Sequence, residues 1–221
     1  MGKTVISHII DRCNKIDGVR LVCCAIPDDQ SNDVLAQEIK KTKAELYRGS
    51  EIDVLNRYFM AAKYFDAKNI VRVTGDCPLL DPAVCTQLLG LFVESSADYA
   101  TNNFPPSWPH GLDCEVVSSK WLARANREAT DKFDREHVTP YIREHAEVKK
   151  LNLKCSVSGL KNHRWTLDTR KDFEFLSKVF ASFSANEIPF EYTEVLKIIE
   201  NNPKIALINK DEKTPSRQVV N

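Results

Sequence analysis

The common signatures of phosphate binding and of hydrolysis are missing from this chain. It has no G-x-G-x-x-G turn and no P-loop, and no serine nucleophile elbow. There is no surplus of charge: 31 Lys and Arg balance 31 Asp and Glu. No net field therefore draws the protein to nucleic acid or to an anionic membrane, and an anionic substrate would have to be held by a local site. Long apolar runs are also absent. The longest, Leu21 to Ile26, is far too short to span a bilayer. Residues 1–20 lack the apolar core of a signal peptide, so a cytoplasmic protein is expected. Met1-Gly2 resembles a myristoylation start, but Ile6 stands where Ser or Thr is needed. The 7 cysteines form no C-x-x-C pair, which excludes an evident zinc site, and their odd number argues against a disulfide framework. Cys77 and Cys114 read as small buried hydrophobes. Internal repeats and low-complexity segments are absent as well.

The remaining sequence reads as a globular α/β chain of 221 residues, enough for one substantial domain. Its most informative stretch is Ile70-Val71-Arg72-Val73-Thr74-Gly75-Asp76-Cys77-Pro78-Leu79-Leu80-Asp81-Pro82. A β-branched run predicts a buried strand, Gly75 breaks it, and Asp76 follows just past the strand end. Asp81 and Pro82 suit the cap and first position of a helix whose stripe is Cys85, Leu88, Leu89 and Phe92. In an open α/β sheet, ligands bind at such a strand-to-helix turn.

Taken in order, a helix is expected over residues 3–15, a strand over 19–26, and a helix carrying Leu35 and Ile39. A weaker strand near 44–47 follows. Ser50 with Asp53 reads as a capping box for a helix burying Leu55, Tyr58, Ala62 and Phe65. A strand near 98–101 precedes a Pro- and Trp-containing loop over 102–111, too long for a mere connector. A strand over 112–117 would then place Asp113 and Glu115 on one side. Helices follow over 119–129 and from Asp134, with Pro140 kinking the latter or restarting it behind Thr139. Residues 150–157 alternate as a one-sided strand does. Arg164-Trp165-Thr166-Leu167-Asp168 reads as a strand ending in a carboxylate. Thr169 and Asp172 cap the next helix, with the stripe Phe173, Leu176, Phe180 and Phe183. A last helix over 191–201 stops at Asn202-Pro203. Residues 1–209 form the domain and 210–221 read as a disordered tail. Strands alternating with helices predict a mixed, mostly parallel sheet.

Asp76 and Asp168 each end a strand that feeds a capped helix, so both would meet at one sheet edge. Two carboxylates completed by substrate phosphates suit an octahedral Mg²⁺; alternatively, each Asp only organises its turn. Asp113 and Glu115 could serve sugar hydroxyls or the metal, or form a solvated strand face. Arg135, Glu136 and His137 could bind an anion or move a proton, with a structural role the competing reading. Arg48 and Arg57 could contact phosphate or base, or make surface ion pairs.

Five blocks occur in an order that is recognisable: Arg48-Gly49-Ser50…Asp53-Val54-Leu55-Asn56-Arg57-Tyr58, Val71 to Leu79, Gly111-Leu112-Asp113-Cys114-Glu115, Arg135 to Tyr141, and Arg164 to Asp168. Together they resemble the cytidylyltransferase-like family of spore-coat polysaccharide biosynthesis protein F, related to acylneuraminate cytidylyltransferases. The resemblance runs from Gly2 to about Asn209. It implies a nucleotide-diphospho-sugar transferase fold, a Rossmann-like three-layer sandwich, and transfer of CMP from CTP to a sugar acid. By position, it implies Asp76 and Asp168 as Mg²⁺ ligands and Arg48, Ser50, Asp53, Arg57, Thr74 and Gly75 as the nucleotide wall. It further implies Asp113 and Glu115, with the block around Arg135, Glu136 and His137, as the sugar side. A homodimer is admitted too, since related enzymes commonly dimerise through the segment after the central sheet. Family members open with a strand and a glycine-rich loop that holds the triphosphate, whereas Gly2 to His8 resembles the segment after that loop. The expectation is therefore a sheet without its first strand and little or no transferase activity. The competing expectations are a glycosyltransferase with a nucleotide-sugar donor and a non-catalytic, truncated homologue.

Overall fold

Short strands followed by capped helices set the architecture. In the computed structural model, residues 2–184 and 189–212 are described. Their elements run, in chain order, α1 (Val5–Cys13), β1 (Cys23–Pro27), α2 (Asp33–Lys40), β2 (Glu45–Gly49), α3 (Val54–Tyr64), β3 (Asn69–Arg72), α4 (Pro82–Glu94), β4 (Tyr99–Thr101), β5 (Glu115–Ser118), α5 (Ser119–Glu128), α6 (Lys132–His137), α7 (Pro140–Glu144), β6 (Lys150–Asn152), α8 (Arg170–Ala181), α9 (Tyr192–Asn201) and α10 (Pro203–Ala206).

The strands form two sheets. β1 and β2 pair in parallel, and the other four lie in the order β3-β5-β4-β6. There β5 runs antiparallel to both neighbours while β4 and β6 are parallel. The sheets are thus mixed, as expected, with antiparallel pairings as numerous as parallel ones. Among the described residues, no strand pairs with the second edge of β1 or of β3.

Alternation along the strands builds three layers. Ala100 and Val116 point to one face, against Leu80, Cys85, Leu88 and Phe92 of the α4 region and Ile9 and Cys13 of α1. Tyr99 and Val117, one residue along, point to the other, against Leu55 of α3, Trp121 and Leu122 of α5 and Ile142 of α7. A third cluster joins Trp165, Phe175, Val179, Phe190 and Val195, closing the C-terminal helices against Leu79, Val84, Trp108 and Leu112. No helix among the described residues is long and apolar enough to cross a membrane.

Several local expectations are corrected. Asp53, not Ser50, caps α3, accepting from the Asn56 N–H; the Ser50 hydroxyl instead accepts from the Asp53 N–H at 3.0 Å. Residues 109–113 turn, with the Leu112 N–H donating to the Pro109 carbonyl at 3.1 Å. β5 therefore begins only at Glu115. Residues 164–168 are not a strand; a single bridge pairs His110 with Arg164. The buried face of α8 is Asp172, Phe175, Leu176 and Val179, while Phe173 is 59% exposed. The strand after Lys150 ends at Asn152. Lys210 to Glu212 extend the ordered chain, with Glu212 paired to Lys171 at 3.1 Å; the rest of the expected tail, 213–221, lies outside the described residues.

Pro140 restarts the helix as α7, and the join is strained. Val138, fully buried, has φ 73° and ψ −53°, and the Thr139 N–H donates to the His137 carbonyl at 2.8 Å. This is a γ-turn of the rare hand, which a β-branched residue adopts only when its surroundings force it.

Candidate active site

The Thr74–Asp76 turn follows β3, and segment 166–168 lies directly against it. The Leu167 N–H donates to the Asp76 carbonyl at 2.8 Å. The Thr166 hydroxyl donates to Oδ2 of Asp76 at 3.1 Å, and the Thr74 hydroxyl donates to Oδ1. Asp76 and Asp168 thus lie on one rim. Oδ2 of Asp168 accepts from Arg164 Nη2 at 2.7 Å. A Cβ on Gly75 would meet nothing within 4 Å, so the rim opens to solvent there.

Asp113 reaches the same rim from the 109–113 turn. Its Oδ2 accepts from the Gly111 N–H at 2.9 Å and lies 3.0 Å from His110 Nδ1; its Oδ1 accepts from Asn103 Nδ2 at 2.9 Å. The turn is pinned by backbone. The Trp165 N–H donates to the His110 carbonyl at 2.6 Å, and Gly111, at φ 108°, lies so close that a Cβ would come within 2.4 Å of the Trp165 carbonyl carbon. The hydrogen bond with Asp113 raises the His110 pKa against the opposing effect of burial. Burial pushes the Asp113 carboxyl up, but donation from His110 and from the Gly111 N–H outweighs it and the pKa falls. His110 also feels the charges of Arg164 and Asp168, which places the pair beside the carboxylate rim. Burial, followed by the charges of Asp76 and Asp113, pushes the Cys77 thiol well above its ordinary range, in keeping with a small buried hydrophobe. Both Cys77 and Cys114 are buried.

A second network contains three of the six residues expected in the nucleotide wall, Ser50, Asp53 and Arg57, together with Arg135 from the expected sugar side. Arg57 donates through Nη1 to the Ser50 carbonyl, and Asp53 forms an ion pair with Arg135, which also holds Asn126. Ser50, Asp53, Arg57 and Arg135 are thereby linked across α3 and α6. Arg48 points elsewhere, bracing the turn after β1 through the Pro27 and Asp29 carbonyls and the Asp33 carboxylate. Glu136 and His137 are exposed on α6, and the His137 ring lies 4.2 Å from that of Phe133.

Glu115 and Asp113 do not share a site. Glu115 is buried, and its carboxylate accepts from Arg72 at 2.5 Å, from the Thr139 hydroxyl at 2.8 Å and from the Tyr99 hydroxyl. No partner is common to the two carboxylates. The strand alternation that was to align them starts two residues after Asp113.

Sequence reasoning assigned no site role to His110, Asn103, Thr166 or Asn209, and read Asp172 only as a helix cap. The signal available for His110 was its place three residues before Asp113, in a loop already too long for a connector. Nothing local marked Asn209, whose amide meets Arg164 and Asp172 from 45 and 37 residues away.

An open mixed sheet between helical layers, with a carboxylate rim after β3, defines a nucleotidyltransferase-type fold. CMP:2-keto-3-deoxy-manno-octonic acid synthetase, solved with CTP, shares that fold, with a TM-score of 0.63 at 14% identity over 82% of this chain and 89% of that one. A cytidylyltransferase of Leptospira borgpetersenii superposes with a TM-score of 0.84 at 26% identity over 97% of this chain and 89% of the other. Spore coat polysaccharide biosynthesis protein SpsF of Bacillus subtilis is 27% identical over 82% of this chain and 75% of its own length. An uncharacterized protein of Methanocaldococcus jannaschii is 28% identical over 99% of this chain and 88% of its own. The family model for cytidylyltransferases matches residues 1–208, and the chain belongs to that family.

Proposed function

We propose that this cytidylyltransferase transfers CMP from CTP to a sugar acid, with Asp76 and Asp168 as ligands of Mg²⁺. The observation that carries the reading is the hydrogen-bonded contact of Asp76 with Thr166 and Leu167, which brings the backbone next to Asp168 against the Asp76 turn and supports a rim shared by the two carboxylates. The donor set fits the ion. It consists of carboxylate oxygens, the ligands a hard cation takes. Among the described residues, no group of three or more His, Cys, Asp or Glu could hold a metal by itself. A hard cation that takes one or two carboxylates and fills its shell with substrate phosphates and water suits such a rim. When bound, Mg²⁺ supplies charge neutralisation on the transferring phosphoryl group and the departing pyrophosphate.

The chain's own residues hold the partners. Thr74 and Thr166 fix Asp76 as an acceptor facing the rim. Ser50, Asp53, Arg57 and Arg135 form a cross-linked wall for the nucleotide. Asp113, steadied by His110 and Asn103, presents acceptors to sugar hydroxyls. A sugar hydroxyl oxygen then attacks the α-phosphorus of CTP. The bond from that phosphorus to the pyrophosphate oxygen breaks, and the hydroxyl proton passes to solvent.

The test is to incubate the chain with CTP, Mg²⁺ and a panel of 2-keto-3-deoxy sugar acids, measuring pyrophosphate and the mass of the CMP-sugar; robust CMP-sugar formation refutes the expectation of little or no transferase activity. Asp76→Asn and Asp168→Asn should each lower the rate about a hundredfold or more. Pyrophosphate release indifferent to both substitutions would refute the assignment. Turnover of a nucleotide sugar, with no CTP consumed, would show a glycosyltransferase instead.

A further inference from the structure

Asp172 is fully buried in the first turn of α8. Its Oδ1 accepts from Arg164 Nε at 2.9 Å and from Asn209 Nδ2 at 2.8 Å. Its Oδ2 accepts from Arg164 Nη2 at 2.8 Å and from the N–H groups of Asp168 and Thr169, both at 3.0 Å. Capping the helix requires only the Thr169 N–H. The other four donors all come from Asp168, Arg164 and Asn209, and Arg164 in turn donates to the Asp168 carboxylate at 2.7 Å. Stability alone is a poor reason for this arrangement, because well-packed apolar groups often replace a buried ion pair without loss. Both ends of Asp168, its backbone N–H and its carboxylate, trace back to the one buried carboxylate.

We propose that Asp172, acting through Arg164 and Asn209, is the positioning residue that presents the Asp168 carboxylate to a divalent cation on the rim shared with Asp76. This rests on the reading of Asp168 as a cation ligand given above. All five contacts on the Asp172 oxygens are donated N–H groups, the partners of a carboxylate rather than of a carboxylic acid. The Arg164 fork binds Asp172 through two nitrogens and Asp168 through one. Most of the guanidinium charge is thereby satisfied by Asp172, and one hydrogen bond orients Asp168. Without the Asp172 charge, Arg164 would turn its full charge on Asp168 and compete with the cation.

The experiment measures Mn²⁺ binding to the full chain by the loss of the free-ion electron paramagnetic resonance signal. Asp172→Asn should weaken binding about 10–100-fold, the usual effect of losing a group that orients a metal ligand. The Mg²⁺ concentration for half-maximal turnover should rise in parallel, with the maximal rate largely recovered at excess Mg²⁺, a split that a merely loosened core would not produce. Asp168→Asn is the control. If it binds Mn²⁺ like the wild type, Asp168 is not a ligand and the functional reading itself fails. If it weakens binding while Asp172→Asn stays within about twofold of wild type, only the positioning role is overturned. Should Asp172→Asn not fold, Asn209→Ala removes one donor of the five. A several-fold weakening with unchanged circular dichroism then supports the proposal, and unchanged affinity overturns it.

Discussion

Replacing Glu115 by Leu should cost this protein a large part of its stability. Glu115 is 4% exposed and is the counter-ion of Arg72, whose side chain is 18% exposed. The Arg72 guanidinium has no substitute at hand: its Nε is buried without a hydrogen-bond partner, and its Cζ lies over the Tyr58 ring at 5.7 Å. Burial lowers the Arg72 pKa and the Glu115 charge outweighs it; removing Glu115 leaves burial unopposed by that charge, yet a guanidinium titrates so far above neutral that the cation stays. Stranding one member of a buried pair costs about 3–5 kcal/mol.

Two further variants separate the contributions. Glu115→Gln can keep its amide oxygen on Arg72 while the Tyr99 and Thr139 hydroxyls turn round to accept, so the loss should be nearer 1.5–3 kcal/mol. The double variant Glu115→Leu with Arg72→Leu removes both charges and should be less destabilised than Glu115→Leu alone. Urea unfolding followed by tryptophan fluorescence suits the measurement, since Trp108, Trp121 and Trp165 are all buried. With a slope of roughly 3 kcal/mol per molar for a chain of this size, the single Leu variant should lose about 1–1.7 M in its midpoint. A Glu115→Leu midpoint indistinguishable from wild type, or a double variant less stable than Glu115→Leu alone, would refute the reasoning.

The two glycines on the carboxylate rim should respond in opposite ways. Gly111→Ala would force a methyl onto the backbone of Trp165 and Thr166 at a left-handed φ of 108°, costing roughly 3 kcal/mol or more, whereas Gly75→Ala, which meets open space, should stay within about 0.5 kcal/mol by the same unfolding assay. The His110–Asp113 pair should be pH-dependent. The raised His110 pKa gives stability that is complete below the ordinary histidine value of about 6.5 and is lost as pH rises through the folded value; the lowered Asp113 pKa gives stability present above about 3.9 and lost as pH falls through its folded value. The pair therefore contributes most between about pH 4 and 6.5. Asp113→Asn should return the His110 titration, followed by nuclear magnetic resonance, toward 6.5, and an unchanged titration would contradict the pairing.

Where a signal is local, the chain states its structure openly. Asp81 caps α4 with Pro82 at its first position, accepting from the Ala83 and Val84 N–H groups. Thr169 and Asp172 form the capping box of α8, and Pro140 begins α7 behind Thr139. Each of these depends on residues one to three positions apart, so spacing suffices. The stripe of α8 shows the limit. Choosing Phe173 as inward sends Asp172 to solvent, the sensible choice for an isolated helix. The true face turns Asp172 inward instead, because Arg164 and Asn209, eight residues before it and 37 after, satisfy its charge there. No periodicity within the helix carries that information.

The same reasoning explains why the rim was only half legible. Asp76 and Asp168 could be paired from sequence because each stands before a helix cap, and such turns gather at one edge of a sheet. The physical means of pairing them is different from the one the sequence suggests. Residues 164–168 form no strand ladder, and what brings Asp168 to Asp76 is the Leu167 N–H on the Asp76 carbonyl, the Thr166 hydroxyl on its carboxylate, and the backbone of Gly111 pressed against Trp165. A segment held by such contacts has no repeat to betray it, only a glycine whose φ an L side chain rarely adopts. The rim's geometry therefore depends on Gly111 and Asp172 as much as on the two carboxylates, and substitutions at those buried positions should disturb the chemistry without touching a substrate.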